Sequence, residues 1–420
     1  MDFTPSPRSA DLTARVRDFI DSRIDPVEAT ILADVQARRD RGENPWTVHP
    51  LIPELQALAR TQGLWNLFLP AGHEGPYAAR FGTDGGVGLS NVDYAPIAEQ
   101  TGRSTLAPLV FNCNAPDTGN MEVLLKYGSQ EQKDTWLEPL LEGRIRSAFL
   151  MTEPDVASSD ATTMAATARI EGDEVVLDGR KWWSTGVGHP DCAVGIFMGV
   201  TDPQAPKHAR HSMVLVPLDA PGVRIERVMP ALGQWDEPLG HGEVSLTDVR
   251  LPASAIIGGP GRAFAIAQGR LGPGRVHHCM RLIGLAERSL KSACERASTR
   301  VAFGKPLANL GGNRERLAEA RIAINQARLH VLHCAWKLDA FGVEGAASEV
   351  SEIKAAVPRM ACQVIDLAIQ LHGGAGVSAD TPLAAAYATA RALRLADGPD
   401  EVHLGVVARH LLRPYQTDQR

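Results

Sequence analysis

Long apolar runs, dense basic clusters and paired cysteines are all missing from this sequence of 420 residues. No apolar stretch reaches the roughly 20 residues of a membrane-spanning helix, so no membrane span is expected. Lys and Arg number 43 against 49 Asp and Glu, a net charge of −6, and no basic run offsets it. That balance argues against a nucleic-acid partner. The cysteines at 113, 192, 279, 294, 334 and 362 form no CxxC pair, which suits free thiols in a reducing compartment. The opening segment, Met1 to Phe19, has no apolar signal core and is not free of acids. It reads as neither secretory signal nor transit peptide, and a cytoplasmic location is expected. No internal repeat of about 20–50 residues is visible. A Rossmann fingerprint is absent too: Gly272-Pro273-Gly274 and Gly373 to Gly376 follow no strand pattern, which disfavours a nicotinamide cofactor.

What is present falls into three blocks, since the chain is too long for one ordinary core. To about residue 148 the pattern is helical. Ser9 can cap a helix with the apolar face Leu12, Val16, Phe19 and Ile20. Leu51, Leu55, Leu58 and Ala59 repeat the spacing until Gly63, and Ala71 to Gly88 reads as a long surface loop. From 149 to 258 the period changes. Ala168–Ile170, a polar turn at Glu171–Glu174 and Val175–Leu177 form an expected hairpin. Ala193–Val200, Ser212–Leu218, Val223–Val228 and Glu243–Leu251 are further strands, spaced as in a barrel or sandwich. Beyond 259 four long apolar stripes return, starting at Val276, Leu317, Ile353 and Leu383. They predict a helical bundle, with Pro358 kinking the third helix.

Two positions stand out chemically. Asp397 extends the row Leu383, Ala386, Ala390 and Leu393 by one more turn, so its carboxylate is expected to point inward, partly desolvated, with a raised pKa. The same aspartate could instead cap the next helix, with Pro399 as an early helical residue. His277-His278-Cys279 does not read as a metal site, because adjacent helical residues point in different directions; no metal is expected.

Five phrases in order carry a resemblance: Phe149 to Asp160, Lys181 to Gly186, Arg300 to Lys305, Gln370 to Gly376 and Arg394 to Glu401. Together they resemble the acyl-CoA dehydrogenase family, and within it the branch of family members 10 and 11. The resemblance implies an α+β fold with an N-terminal all-α domain (1–148), a middle β-barrel domain (149–258) and a C-terminal four-helix bundle (259–420). It implies FAD, bound by Phe149, Met151, Thr152, Trp183, Thr185, Arg300, Phe303, Gln370, Gly373 and Gly374. In the family the arginine at Arg300 serves the FAD pyrophosphate of a neighbouring subunit. Ser159 and Arg275 are implied at the substrate, and Asp397 as the base that takes the α-proton of an acyl-CoA while hydride leaves the β-carbon for the flavin. The product would be a trans-2-enoyl-CoA, as in fatty-acid β-oxidation, with electron-transfer flavoprotein as acceptor and a homodimer or homotetramer as the assembly.

Three departures from the family pattern matter. The first phrase is one residue longer, which leaves the register of Ser158 and Ser159 open. The base is aspartate where the family carries glutamate. Gly274 stands where some members place the base instead. Two other readings remain: an oxidase or monooxygenase on the same fold, such as a nitroalkane oxidase with an aspartate base, and a non-catalytic CoA-binding scaffold.

Overall fold

The computed structural model of the chain describes residues 2–69, 76–81 and 88–415, and its sheet starts from the hairpin read in the sequence. Ala168 faces Leu177 and Ile170 faces Val175 across the turn, where Gly172 adopts φ 69°. Strands β1 (Arg146–Leu150), β2 (Thr167–Glu171), β3 (Glu174–Thr185), β4 (Cys192–Val200), β5 (His211–Pro217), β6 (Val223–Met229) and β7 (His241–Pro252) share one sheet. Its order is β1-β4-β2-β3-β7-β6, with β5 on β4. Only the pair Thr167–Val200 joins β2 to β4, yet both halves fill one core. Leu150, Phe197 and Val214 from one side meet Val175, Val244 and Val249 from the other, so the sheet folds over itself.

The helices of ten residues or more are α1 (Pro7–Phe19), α2 (Asp25–Asp40), α3 (Leu51–Thr61), α4 (Asn91–Thr101), α5 (Asp117–Tyr127), α6 (Ala263–Thr299), α7 (Asn313–Gly345), α8 (Ala347–His372), α9 (Leu383–Ala392) and α10 (Asp400–Leu412). The chain divides into a strand-bearing unit, Arg23–Gly88 with Pro108–Gly274, and a helical unit, Met1–Ser22 with Leu89–Ala107 and Arg275–Arg420. Among the described residues no helix is long and apolar enough to cross a membrane.

In the strand-bearing unit, α5 anchors β1 through buried polar groups. Asp117 accepts from the Ser147 backbone N–H at 2.8 Å, and Asn120 donates to the Ala148 carbonyl at 3.1 Å. The expected loop from Ala71 to Gly88 is interrupted by a short helix at Pro76–Phe81; residues 71–75 and 82–87 lie outside the described residues.

In the helical unit α1 is capped by Ser6, not Ser9: the Ser6 hydroxyl accepts from the Ser9 backbone N–H. Pro7 pre-sets the helical φ one turn earlier than the apolar pattern indicates, and the Ser9 hydroxyl donates to Asp93 O in α4 instead. Helices α4 and α6 cross closely at Gly102 and Gly284, where an added Cβ would stand 1.9 Å from the carbonyls of Arg281 and Glu99. The regular part of α7 ends at Gly342, whose φ is 70°. Helix α8 runs through Pro358 without a break and ends on Gly373 at φ 64°. It packs against α7, α9 and α10 and is the spine of the bundle.

Candidate active site

The strand-bearing unit builds a wall around Trp183. The residues Lys181 to Ser184 interrupt the register between β3 and β7, and Trp183 takes φ 53° while staying 42% exposed. A large aromatic residue in left-handed backbone at the surface is strained, and such strain marks functional sites. Its ring lies 5.8 Å from that of His241, whose Nδ1 is 2.9 Å from the Thr185 hydroxyl. Burial lowers the His241 pKa, so the ring is neutral. Thr152 is tied alongside: its carbonyl accepts from the Trp182 N–H at 2.9 Å.

Behind this wall the fully buried Lys181 ammonium uses all three donors. It bonds Glu153 at 2.7 Å, the Met198 carbonyl at 2.7 Å and the Met151 carbonyl at 3.0 Å. Burial pushes the lysine pKa down to about 8, against the pull of Glu153. Glu153 also accepts from the N–H groups of Ala165 and Ala166, so one buried pair pins the turn that presents Met151 and Thr152. Ser158 closes that turn by accepting from the Glu153 N–H, whereas Ser159 is exposed. Phe149, at the end of β1, lies under the Arg270 guanidinium at 3.9 Å.

In the helical unit, Asp397 is not a continuation of α9. That helix ends at Ala392, and Asp397 sits in the following turn with φ 56°, next to Gly398 at φ 104°. The N-cap of α10 is Pro399, without a side-chain bond of its own. The turn is held from three helices. From α6, Arg275 Nε donates to the Asp397 carbonyl at 3.0 Å, and His278 Nε2 lies 3.5 Å from Asp397 Oδ2. From α10, His403 Nε2 is 3.2 Å from the same carbonyl. From α8, the buried Lys354 ammonium reaches the carbonyls of Leu393 and Gly398. Burial lowers the pKa of Arg275 and of Lys354. Burial, reinforced by those two cations, pushes His403 down to about 4. Neutral His403 therefore donates from Nε2, because a carbonyl only accepts. Asp400 stands apart in a buried pairing with Arg394 and Arg359.

Arg300 and Phe303 share a hairpin, β8 (Val301–Ala302) and β9 (Lys305–Pro306). Both turn residues, Phe303 and Gly304, have positive φ, as in a type I′ two-residue hairpin turn. Phe303 is 96% exposed, an unusual position for a phenylalanine in left-handed backbone. Gln370, Gly373 and Gly374 are exposed at the end of α8, and a Cβ at either glycine would meet open space. The C-terminal ends of α6 and α8 join in one small core around Ala297, Ala368 and Leu371.

The structure thus brings Arg275 onto Asp397, and Thr152 beside the strand of Trp183 and Thr185. Sequence reasoning missed His241, Lys354, His403 and His278. For His278 a signal existed, since it follows Arg275 by three residues and shares its helix face. His277, by contrast, turns into the core against Tyr94 at 4.8 Å.

Comparison with known proteins covers nearly the whole chain. The acyl-CoA dehydrogenase N-terminal domain matches residues 6–144, the middle domain 148–249 and the C-terminal domain 261–412. Acyl-CoA dehydrogenase family member 10 of Mus musculus is 50% identical over 408 residues, 97% of this chain and 37% of its own length. Family member 11 of Gallus gallus is 49% identical over 97% of this chain and 51% of its own. The chain therefore spans about half or less of the length of these two relatives. A solved structure from Mycobacterium abscessus, assigned as an acyl-CoA dehydrogenase, is 65% identical at TM-score 0.93, covering 98% of this chain and 100% of that one.

Proposed function

The chain belongs to the acyl-CoA dehydrogenase family, and from that premise we propose that it is an FAD-dependent acyl-CoA dehydrogenase with Asp397 as its base. The observation that carries this reading is the turn at Asp397. A carboxylate on left-handed backbone is fixed by Arg275, His403 and Lys354 acting on the surrounding peptides, which is the rigid support a proton-abstracting group needs.

The residues present fit FAD. Trp183 offers a flat apolar face with Thr185 and Thr152 beside it, the combination a tricyclic ring system needs. Phe149 and Met151 complete that neighbourhood. Exposed Gly373 and Gly374, where a Cβ would meet open space, allow backbone approach near Gln370. Arg300 and Phe303 project on their hairpin, and a guanidinium fork matches pyrophosphate oxygens. When bound, FAD would supply the acceptor for the hydride leaving the β-carbon.

Asp397 removes the α-proton of the thioester, and its own backbone N–H helps to hold the carbonyl on which negative charge develops. Arg275 keeps that peptide in place, and Ser159 contacts the CoA arm. The product is a trans-2-enoyl-CoA, as in fatty-acid β-oxidation. Electron-transfer flavoprotein is the proposed acceptor, a homodimer or homotetramer the proposed assembly and the cytoplasm the proposed location. The boundaries at about residues 148 and 258 are proposed as its domain limits.

The test is anaerobic titration of the purified yellow protein with straight-chain acyl-CoAs of graded length. Bleaching of the flavin, with slow reoxidation in air and fast reoxidation by electron-transfer flavoprotein, supports the reading. Rapid peroxide formation, or turnover of nitroalkanes, would move the chain to the oxidases. Protein that stays colourless after incubation with FAD would overturn the assignment altogether.

A further inference from the structure

The base reading leaves one neighbour of Asp397 without a role. His278 lies on α6 with Nε2 3.5 Å from Asp397 Oδ2, and its other ring nitrogen, Nδ1, lies 3.2 Å from Arg281 NH2. Arg281 follows one helical turn later, and its carbonyl sits where α6 crosses Gly102, so its backbone has little freedom to move. A guanidinium has only N–H donors. Nδ1 must therefore be the acceptor in that contact, and the proton of the neutral ring resides on Nε2, facing Asp397. A doubly protonated ring would set an N–H against the guanidinium, so the same contact disfavours the imidazolium. Among the described residues the charged or titratable groups around the turn include Arg275, His278, Arg281 and the buried thiol of Cys279 from α6, Lys354 from α8, His403 from α10, and Arg394 and Asp400, which flank the turn and pair with each other. Arg275, Lys354 and His403 bond to carbonyls. His278 points at a carboxylate oxygen.

We propose that His278 is a positioning residue for the reaction: fixed in its Nε2–H tautomer by Arg281, it aims the Asp397 carboxylate and holds it ionised. The inference rests on Asp397 being the base. An N–H directed at the charged form favours that form, so the His278 ring, with Nε2 3.5 Å from the carboxylate, lowers the pH at which Asp397 becomes competent. The ring itself neither gains nor loses a proton in the reaction. Its task is the one a second group commonly performs for a catalytic side chain, fixing orientation and protonation state.

Two measurements test this. In the holoenzyme, the rate of flavin reduction by the best acyl-CoA of the titration panel is followed against pH. With His278→Leu the acid limb moves up by about one pH unit, about a tenfold loss at acidic pH that shrinks as pH rises. His278→Gln, which returns an N–H near the Nε2 position, brings the limb back toward wild type. A purely structural role would lower the rate at every pH and would not distinguish Leu from Gln. The second measurement needs no substrate: 15N spectra of histidine-labelled holoenzyme, with the His278 resonance identified by its absence in His278→Gln. A proton on Nε2 in the wild type, released from that preference in Arg281→Met, supports the proposal.

A wild-type proton on Nδ1 overturns it. So does an unmoved acid limb in His278→Leu while Asp397→Asn still blocks reduction, an outcome that leaves the base assignment intact. If Asp397→Asn itself reduces flavin normally, the base assignment falls and the role of His278 falls with it.

Discussion

Arg275 Nε donates to the carbonyl oxygen of Asp397 at 3.0 Å, so the guanidinium fixes the peptide from which the proposed base projects. The carboxylate can then be altered while its mounting stays in place. Asparagine is among the residues that best tolerate left-handed backbone, and Asp397 has φ 56°. Asp397→Asn should therefore keep the turn, the bound FAD and acyl-CoA affinity, while flavin reduction falls about 10²–10⁴-fold. Stopped-flow absorbance under anaerobic conditions measures this. Glu401→Gln is the control, because Glu401 is an exposed acid in the first turn of α10. Loss of reduction in Glu401→Gln with a normal Asp397→Asn would place the base elsewhere.

Trp183 separates strain from binding. Glycine adopts positive φ freely, and left-handed backbone costs a non-glycine residue about 1–2 kcal/mol. Trp183→Gly should leave the apoprotein melting no lower than wild type, yet weaken FAD binding markedly. Calorimetry of the apoprotein and fluorescence titration with FAD read the two effects separately. A variant that melts lower and binds FAD normally would make Trp183 a packing residue.

Arg300 stands on the exposed hairpin at Phe303 and Gly304. Arg300→Ala should release FAD on gel filtration without a comparable loss of folding. Light scattering of the wild type should give a mass of two or four chains. A single-chain mass with full flavin content would refute service to a neighbour.

Glu122 provides a test by pH. Its carboxyl is buried in α5, and burial pushes its pKa from 4.5 up to about 8, against the pull of Arg270 and Lys126. The folded form thus keeps a proton that the unfolded chain gives up. The associated stability is present below about pH 4.5 and is lost as pH rises toward 8. Across that window the loss is on the order of 2–5 kcal/mol. Glu122→Gln cannot ionise, so its melting temperature should fall less between pH 5 and pH 9 than that of wild type. Parallel slopes would show that the carboxyl is already ionised in the fold.

The sequence was legible where a repeating pattern met a local stop. The hairpin of β2 and β3 and the stripes of α6 to α9 follow from periodicity and turn chemistry. Legibility failed where a side chain's surroundings come from distant segments. Helical projection carried Asp397 inward past Leu393, but α9 stops at Ala392, and the Leu393 carbonyl is taken by Lys354, 39 residues back. Lys354 and His403 gave no signal, since each is a single polar residue in an ordinary helical pattern. The Lys181–Glu153 pair was likewise hidden, its partners lying 28 residues apart. The strain at Trp183 and Phe303 is a backbone property, and no composition announces it.

Helix α6 carries both Arg275 and, one residue beyond its end, Arg300. At 1.5 Å per residue the 25 positions between them span about 38 Å. If Arg275 supports the base for one flavin and Arg300 grips another, catalytic competence belongs to pairs of chains. Two inactive variants, one lacking Asp397 and the other Arg300, would then complement each other when mixed: in the hybrid, one of the two centres would draw an intact base and an intact arginine from different chains.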